Sequence, residues 1–175
     1  DPLLCVDIPK VGSEKTRTLS IPTVGDRVIL QAISSVLSGL WEPDFSECSF
    51  AYRPGRSAHQ AVRSAQTALN RGNHWVVDLD LEAYFDNVPH TRLLEQIRNR
   101  IPGSGNDVLI ELIARFLAAP RKRKLKHHSA NGKGHPQGSP LSPLLANLYL
   151  DTLDHFLEER GCEFVRYADD FIVLC

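Results

Sequence analysis

Glu163-Phe164-Val165-Arg166-Tyr167-Ala168-Asp169-Asp170-Phe171-Ile172-Val173-Leu174-Cys175 holds two β-prone runs, 163–167 and 171–175, joined by Ala168-Asp169-Asp170. Aromatic and β-branched residues on both sides of a short polar link predict a hairpin with acids at its tip. Upstream, residues 74–81 read His74-Trp75-Val76-Val77-Asp78-Leu79-Asp80-Leu81. Alternation places Trp75, Val77, Leu79 and Leu81 on one face of a strand and Asp78 and Asp80 on the other. Two acids on one face of an apolar strand need a reason. If this strand neighbours the hairpin in one sheet, Asp80 stands beside Asp169 and Asp170.

Around these strands the periodicity is helical. Over residues 24–40, Val28, Ile29, Ala32, Ile33, Val36, Leu37 and Leu40 recur at three- and four-residue steps, predicting a helix with one buried face that Trp41-Glu42-Pro43 ends. A second helix is expected from Ser57, a favourable N-cap, through Ala61, Val62, Ala65 and Leu69 to Gly72. After a turn near Asn87-Val88-Pro89, one amphipathic helix carries Leu93, Leu94, Ile97 and Ile101, and another runs over 107–119. Ser142-Pro143 opens a long helix, as N-cap and first-turn proline, that ends at Gly161. Residues 4–8 and 16–21 flank a polar turn and predict a further hairpin. Arg121-Lys122-Arg123-Lys124-Leu125-Lys126-His127-His128, leading into Gly132-Lys133-Gly134, reads as a basic, mobile loop. The fold class is α+β.

A chain of 175 residues can bury one ordinary core, with room for two lobes. With 42% apolar and 23% charged residues, disordered and fibrous readings are set aside. No apolar run approaches the roughly 18 residues of a membrane span, and the start lacks a signal-peptide pattern, so a cytoplasmic location without membrane contact is expected. Cys5, Cys48, Cys162 and Cys175 are scattered, which predicts reduced thiols rather than a disulfide framework or zinc site. A net charge of −1 does not advertise a nucleic-acid binder, so any such surface depends on where the charges sit. There is no methionine, and the chain runs from Asp1-Pro2 into the apolar residues 171–175, which reads as an excised piece.

Nucleotidyl transfer places negative charge on attacking, leaving and equatorial oxygens, and a common solution is a pair of Mg²⁺ ions about 3.5–4 Å apart. Mg²⁺ prefers carboxylate oxygens, and Asp80, Asp169 and Asp170 offer them. Singly, each has a plainer reading: Asp169-Asp170 also fits a solvated tight turn, and Asp80 a strand-end acid or cap. Asp78 is read as a structural acid paired with a nearby base.

Five ordered blocks carry a resemblance. Tyr167-Ala168-Asp169-Asp170 looks like the YxDD signature of reverse transcriptases, and residues 80–88, Asp80-Leu81-Glu82-Ala83-Tyr84-Phe85-Asp86-Asn87-Val88, resemble the block with the first catalytic aspartate. Residues 136–150, beginning Pro136-Gln137-Gly138-Ser139-Pro140-Leu141-Ser142-Pro143, are similar to the PQGxxxSPLLxNIYL block of the group II intron-like branch. Residues 50–59, with Arg53-Pro54-Gly55-Arg56-Ser57, and 17–28, with Ile21-Pro22-Thr23, resemble two further blocks of that branch. Position 18 is Thr where the family usually shows Pro, and position 20 is Ser where it shows Gly.

A member of the group II intron maturase-like reverse transcriptases is thus suspected over nearly the whole chain. The resemblance implies a right-hand polymerase fold, with fingers over residues 1–72 and an incomplete palm over 73–175, the thumb absent. It implies RNA-directed DNA synthesis, in which Asp80, Asp169 and Asp170 are catalytic and, with the Leu81 main-chain carbonyl, hold two Mg²⁺ ions, for which Mn²⁺ can substitute. Lys15 and Arg17 would contact the triphosphate of a deoxynucleotide, and Phe85 would close the sugar pocket against a 2′-hydroxyl. Tyr84, beside it, is expected in the core. Gln137 and Gly138 would line the nucleotide and template pocket, with Ala168 below the incoming base. Arg53, Arg56 and Tyr167 would meet nucleic acid, Arg53 and Arg56 at the template strand. The expected partners are RNA template, DNA primer and deoxynucleotides, with intron RNA a further candidate and the oligomeric state open. The isolated piece is expected to polymerise poorly. Competing readings are an inactive palm that binds RNA, an RNA-dependent RNA polymerase and a CRISPR-associated reverse transcriptase.

Overall fold

The computed structural model describes every residue except 10, 11, 13–15, 104, 105, 124, 125 and 129–131, and only the backbone of residues 122, 123 and 126–128. In chain order its elements are β1 (Leu3–Pro9), β2 (Thr16–Ile21), α1 (Val24–Trp41), a 3₁₀ turn (Glu42–Asp44), α2 (Ala58–Asn70), β3 (Val76–Asp80), α3 (Tyr84–Asn87), α4 (His90–Arg100), α5 (Asp107–Leu117), β4 (Arg121–Arg123), β5 (Lys126–His128), α6 (Ser142–Glu159), β6 (Glu163–Tyr167) and β7 (Asp170–Leu174). The helices start where the caps direct. The Thr23 hydroxyl accepts the Asp26 amide at 3.2 Å and donates to its carboxylate at 2.8 Å, and Ser57 accepts the Gln60 amide at 3.4 Å. Each such cap is worth about 1 kcal/mol.

The strands form two sheets. One, ordered β2-β1-β4-β5, contains the expected N-terminal hairpin, and β4 runs parallel to β1. The basic run therefore differs from its reading as a loop: Arg121–Arg123 and Lys126–His128 pair as strands, because β1 offers a free edge to which β4 can bond. The second sheet, β3-β7-β6, is antiparallel and joins the strand of residues 76–80 to the C-terminal hairpin.

One core gathers Leu3, Leu30, Leu37 and Trp41 with side chains of α4, α5 and α6, and a smaller one seats Ala61 and Ala68 of α2 on Val165 and Leu174. The main core and the first sheet both cross residue 72, so the two sides of that position share one packed interior. Among the described residues no helix is long and apolar enough to cross a membrane, and all four cysteines are free.

Two faces differ from expectation. On α1, Leu30, Leu37 and Trp41 are buried while Val28, Ile29, Val36 and Leu40 are exposed. The helix is apolar on more than one side, so periodicity alone could not choose the buried one. On β3 the alternation is present, yet Trp75 is 80% exposed and Val77 and Leu79 are also exposed. β3 is an edge strand, and α2 packs over β6 and β7 instead. In α6, the Ser142 hydroxyl donates to the Pro136 carbonyl at 2.6 Å rather than capping the helix, and so ties the 136–141 loop to its first turn.

Candidate active site

The hairpin predicted at 163–175 forms with Tyr167 opposite Asp170, leaving Ala168 and Asp169 as a two-residue loop. Ala168 has φ +62° and Asp169 does not share the positive sign, the pattern of a type II′ turn, in which glycine is usual at the first position. A buried guanidinium supports this strained alanine. Arg166 is 1% exposed; it donates through Nε to Asp154 at 2.7 Å and through Nη2 at 2.5 Å, and through Nη1 to Asn147 at 3.1 Å and to the Ala168 carbonyl at 3.0 Å. Asn147 in turn donates to the Ala51 carbonyl at 2.8 Å. The Arg166 main chain also bonds to Cys48 and Phe50. One ion pair thus ties the acid-bearing turn to α6 and to the segment 48–51.

Asp80, the last residue of β3, lies directly across from Asp170, the first of β7, so their side chains share a face. Asp78 lies on that face two residues earlier, opposite Ile172. No ion pair to a base is formed by Asp78 among the described residues, contrary to its reading as a paired structural acid. Burial, and then the charges of Asp169, Asp80 and Asp78, push the Asp170 carboxyl above the usual range. Negative charge is therefore concentrated at one end of the second sheet.

Of these acids, Asp80 and Asp169 open on a cleft of about 620 Å³, lined also by Thr16, Arg17 and Thr18 of β2, Leu81, residues 83–86, Arg121 and Gln137. A contiguous recess of about 330 Å³ adds Tyr52 and Gly138 and again holds Arg17, Phe85, Gln137 and Asp169. The first sheet meets the 136–141 loop there through the Ser20 amide of β2, which donates to the Gln137 carbonyl at 2.6 Å. Tyr84 is buried, as expected, with its hydroxyl on the Ala146 carbonyl at 2.8 Å, and Phe85 is left facing the cleft. The Leu81 carbonyl accepts the Tyr84 amide at 3.2 Å, which uses one of its two lone pairs.

Not every expected residue arrives. Lys15 lies outside the described residues. Arg53 is a correction: it is buried, ion-paired with Glu42, and its guanidinium also donates to the carbonyls of Phe45, Ser46 and Ser49, so it braces the loop before α2 instead of meeting a template. Arg56 is held by Glu47 and lies over Phe50, but that glutamate is itself in solvent. Tyr167 is 42% exposed. Sequence reading gave no role to Tyr52, although φ +59° marks it; burial, then Asp169, Tyr167 and Asp170, raise its phenol pKa. Arg121, read from sequence only as part of the basic run 121–128, lines the cleft, where its Nε and Nη2 are buried without a hydrogen-bond partner among the described residues.

As to a metal, the donors are of the right kind, and the elevated Asp170 carboxyl shows charge that a cation would relieve. Among the described residues, however, no group of three or more His, Cys, Asp and Glu side chains is gathered closely enough to hold an ion as it stands. The acids are adjacent by strand register, not caged.

The sequence matches the reverse transcriptase (RNA-dependent DNA polymerase) family over residues 8–175. The chain belongs to that family. Similar proteins include the group II intron-encoded protein LtrA of Lactococcus lactis subsp. cremoris, 36% identical over 94% of this chain and 27% of LtrA, and YkfC of Escherichia coli, 36% identical over 89% and 40%. Among solved structures, a partial Cas6-RT-Cas1–Cas2 complex matches all of this chain and 29% of its counterpart, with 35% identity and a TM-score of 0.59. Telomerase from Candida albicans, 14% identical with a TM-score of 0.67 over 98% of this chain and 37% of its own, shares the fold. This chain spans between about a quarter and two fifths of the curated relatives named above. Reverse transcriptases generally use divalent metal ions.

Proposed function

We propose that the protein carrying this chain is an RNA-directed DNA polymerase that transfers deoxynucleotides to a primer 3′-hydroxyl on an RNA template. The observation that carries the reading is the register of β3 against β7: it sets Asp170 beside Asp80, and Asp80 lines one cleft with Arg17, Phe85, Gln137 and Asp169. Asp80, Asp169 and Asp170, with the free lone pair of the Leu81 carbonyl, are the residues that would hold metal. The chemistry that a pair of Mg²⁺ ions, or Mn²⁺ in their place, supplies when bound there is charge neutralisation on the attacking and leaving oxygens.

The rest of the cleft divides the substrate between its residues. Arg17, with Lys15 two positions before it in the sequence, pairs with the triphosphate, since a bidentate guanidinium suits phosphate oxygens. Phe85 closes the pocket on the sugar, where a 2′-hydroxyl would meet its ring. Gln137 and Gly138 line the base side, and Ala168 lies beneath the base; a Cβ on Gly138 would stand 3.5 Å from the Ser20 carbonyl, so the loop lies close against β2. Arg56 and Tyr167 face the nucleic acid. Residues 1–72 act as fingers and 73–175 as palm, in an intron-encoded or CRISPR-associated protein of the cytoplasm.

The test is Mg²⁺-dependent extension of a DNA primer on an RNA template by the full-length protein, beside its Asp169→Asn variant. Extension by the former alone is expected. A folded protein that binds RNA yet extends nothing in Mg²⁺ or Mn²⁺ would replace this reading with that of an RNA-binding inactive palm.

A further inference from the structure

His135 is 1% exposed, and neither of its ring nitrogens has a hydrogen-bond partner among the described residues. Burial first, then His90 and Arg121, push its pKa down to about 3, so it is a neutral ring whose N–H is left unpaired. An unpaired buried donor costs about 1–3 kcal/mol, and no hydrogen bond to a described residue offsets it. What the ring does have is contacts. It stands edge-to-face against Phe85, with centroids 4.9 Å apart and planes at 73°, and against Tyr84 at 6.1 Å and 81°.

The main chain holds it there. The His135 amide donates to the Phe85 carbonyl at 2.8 Å, the Gly134 amide to Val88 at 2.7 Å, and the His90 amide to Gly132 at 3.0 Å. His90 Nε2 bonds the Gly134 carbonyl at 2.6 Å. Segment 132–135 is therefore laced along segment 85–90. Phe85 borders the cleft, whereas His135 does not.

A ring can exclude a 2′-hydroxyl only if it cannot swing away, and Phe85 would swing wherever room exists behind it. We propose that His135 is a specificity-determining positioning residue: by its volume it blocks the retreat of Phe85 and so sets discrimination between deoxyribose and ribose. This rests on the reading of Phe85 as the sugar gate.

The experiment measures kcat/KM for deoxy- and ribonucleotides in the full-length protein, its Phe85→Ala variant, and the His135→Ala, His135→Val and His135→Leu variants. His135→Ala should raise the ribo-to-deoxy ratio about tenfold, the scale expected when a pocket gains a methylene or more of space. His135→Val should raise it less. His135→Leu, which refills the space without orphan nitrogens, should keep the wild-type ratio and a Tm no lower than wild type. An unchanged ratio in the Ala and Val variants, with Phe85→Ala raising it, overturns the inference and leaves the gate intact. So does a Leu variant as permissive as Ala, or loss of deoxynucleotide extension in Ala and Val while Leu extends normally. If Phe85→Ala itself leaves the ratio unchanged, the gate reading fails first and the inference falls with it.

Discussion

Asp154 and Arg166 are each about 1% exposed at the side chain and bonded to one another, so replacing Asp154 with Ala strands a guanidinium in the interior. Removing one partner of a buried pair costs about 3–5 kcal/mol, whereas replacing both with apolar residues is often neutral or stabilising. The loss is a large part of the roughly 5–15 kcal/mol by which domains are stable. With a urea m value of about 2 kcal/mol/M, the Asp154→Ala midpoint should fall by about 1.5–2.5 M. Trp41, 0% exposed, supplies the fluorescence signal against the solvated Trp75. The paired Asp154→Leu/Arg166→Met variant should regain most of that stability. Extension should stay depressed in the paired variant, because the Ala168 carbonyl and Asn147 have lost their donor and the turn carrying Asp169 is no longer braced. A Mn²⁺ titration followed by electron paramagnetic resonance should show weakened binding in the same protein. If stability, extension and Mn²⁺ binding all return together, the pair is a stability element only and its proposed hold on the turn is refuted.

Three other outcomes follow from single contacts. A Cβ on Gly134 would sit 2.8 Å from the Asp86 carbonyl oxygen at φ +77°, so Gly134→Ala should lower stability by about 2–4 kcal/mol, read as a urea midpoint shift. Arg53→Met should leave the slope of log K against log salt for RNA binding unchanged, since a phosphate contact would contribute close to one unit of slope and Arg53 is instead spent on Glu42 and three carbonyls. For His155, burial opposes protonation, but Asp151 and Glu158 prevail and raise its pKa. A raised folded-state pKa contributes stability below the unfolded value, and that contribution disappears as pH rises through the folded one. His155→Gln should accordingly narrow the stability gap between about pH 5.5 and 8.5, and a gap of wild-type size would contradict the assignment.

How much of this was legible in the sequence depended on whether the information was local. The hairpin at 163–175 follows from two β-prone runs and a short polar link, and Ser57 starts its helix where a short side chain can satisfy a free amide. The pairing of Asp80 with Asp170 is not local, yet two acids on one face of a strand pointed to it. Other outcomes turn on partners far away in the chain. Arg53 in a turn before a helix has the look of a phosphate ligand until Glu42 and the carbonyls of the preceding loop claim its donors. The residues 121–128 carry the charge pattern of a solvated loop, but β1 leaves an edge open, and backbone bonds to that edge are indifferent to side-chain charge. His135 gave no sequence signal at all. Its meaning comes from what touches it, a ring at the cleft wall on one side and Tyr84 on another, and from two nitrogens that find no hydrogen-bond partner among the described residues, which is why a residue type usually chosen for its chemistry is here best explained by its shape.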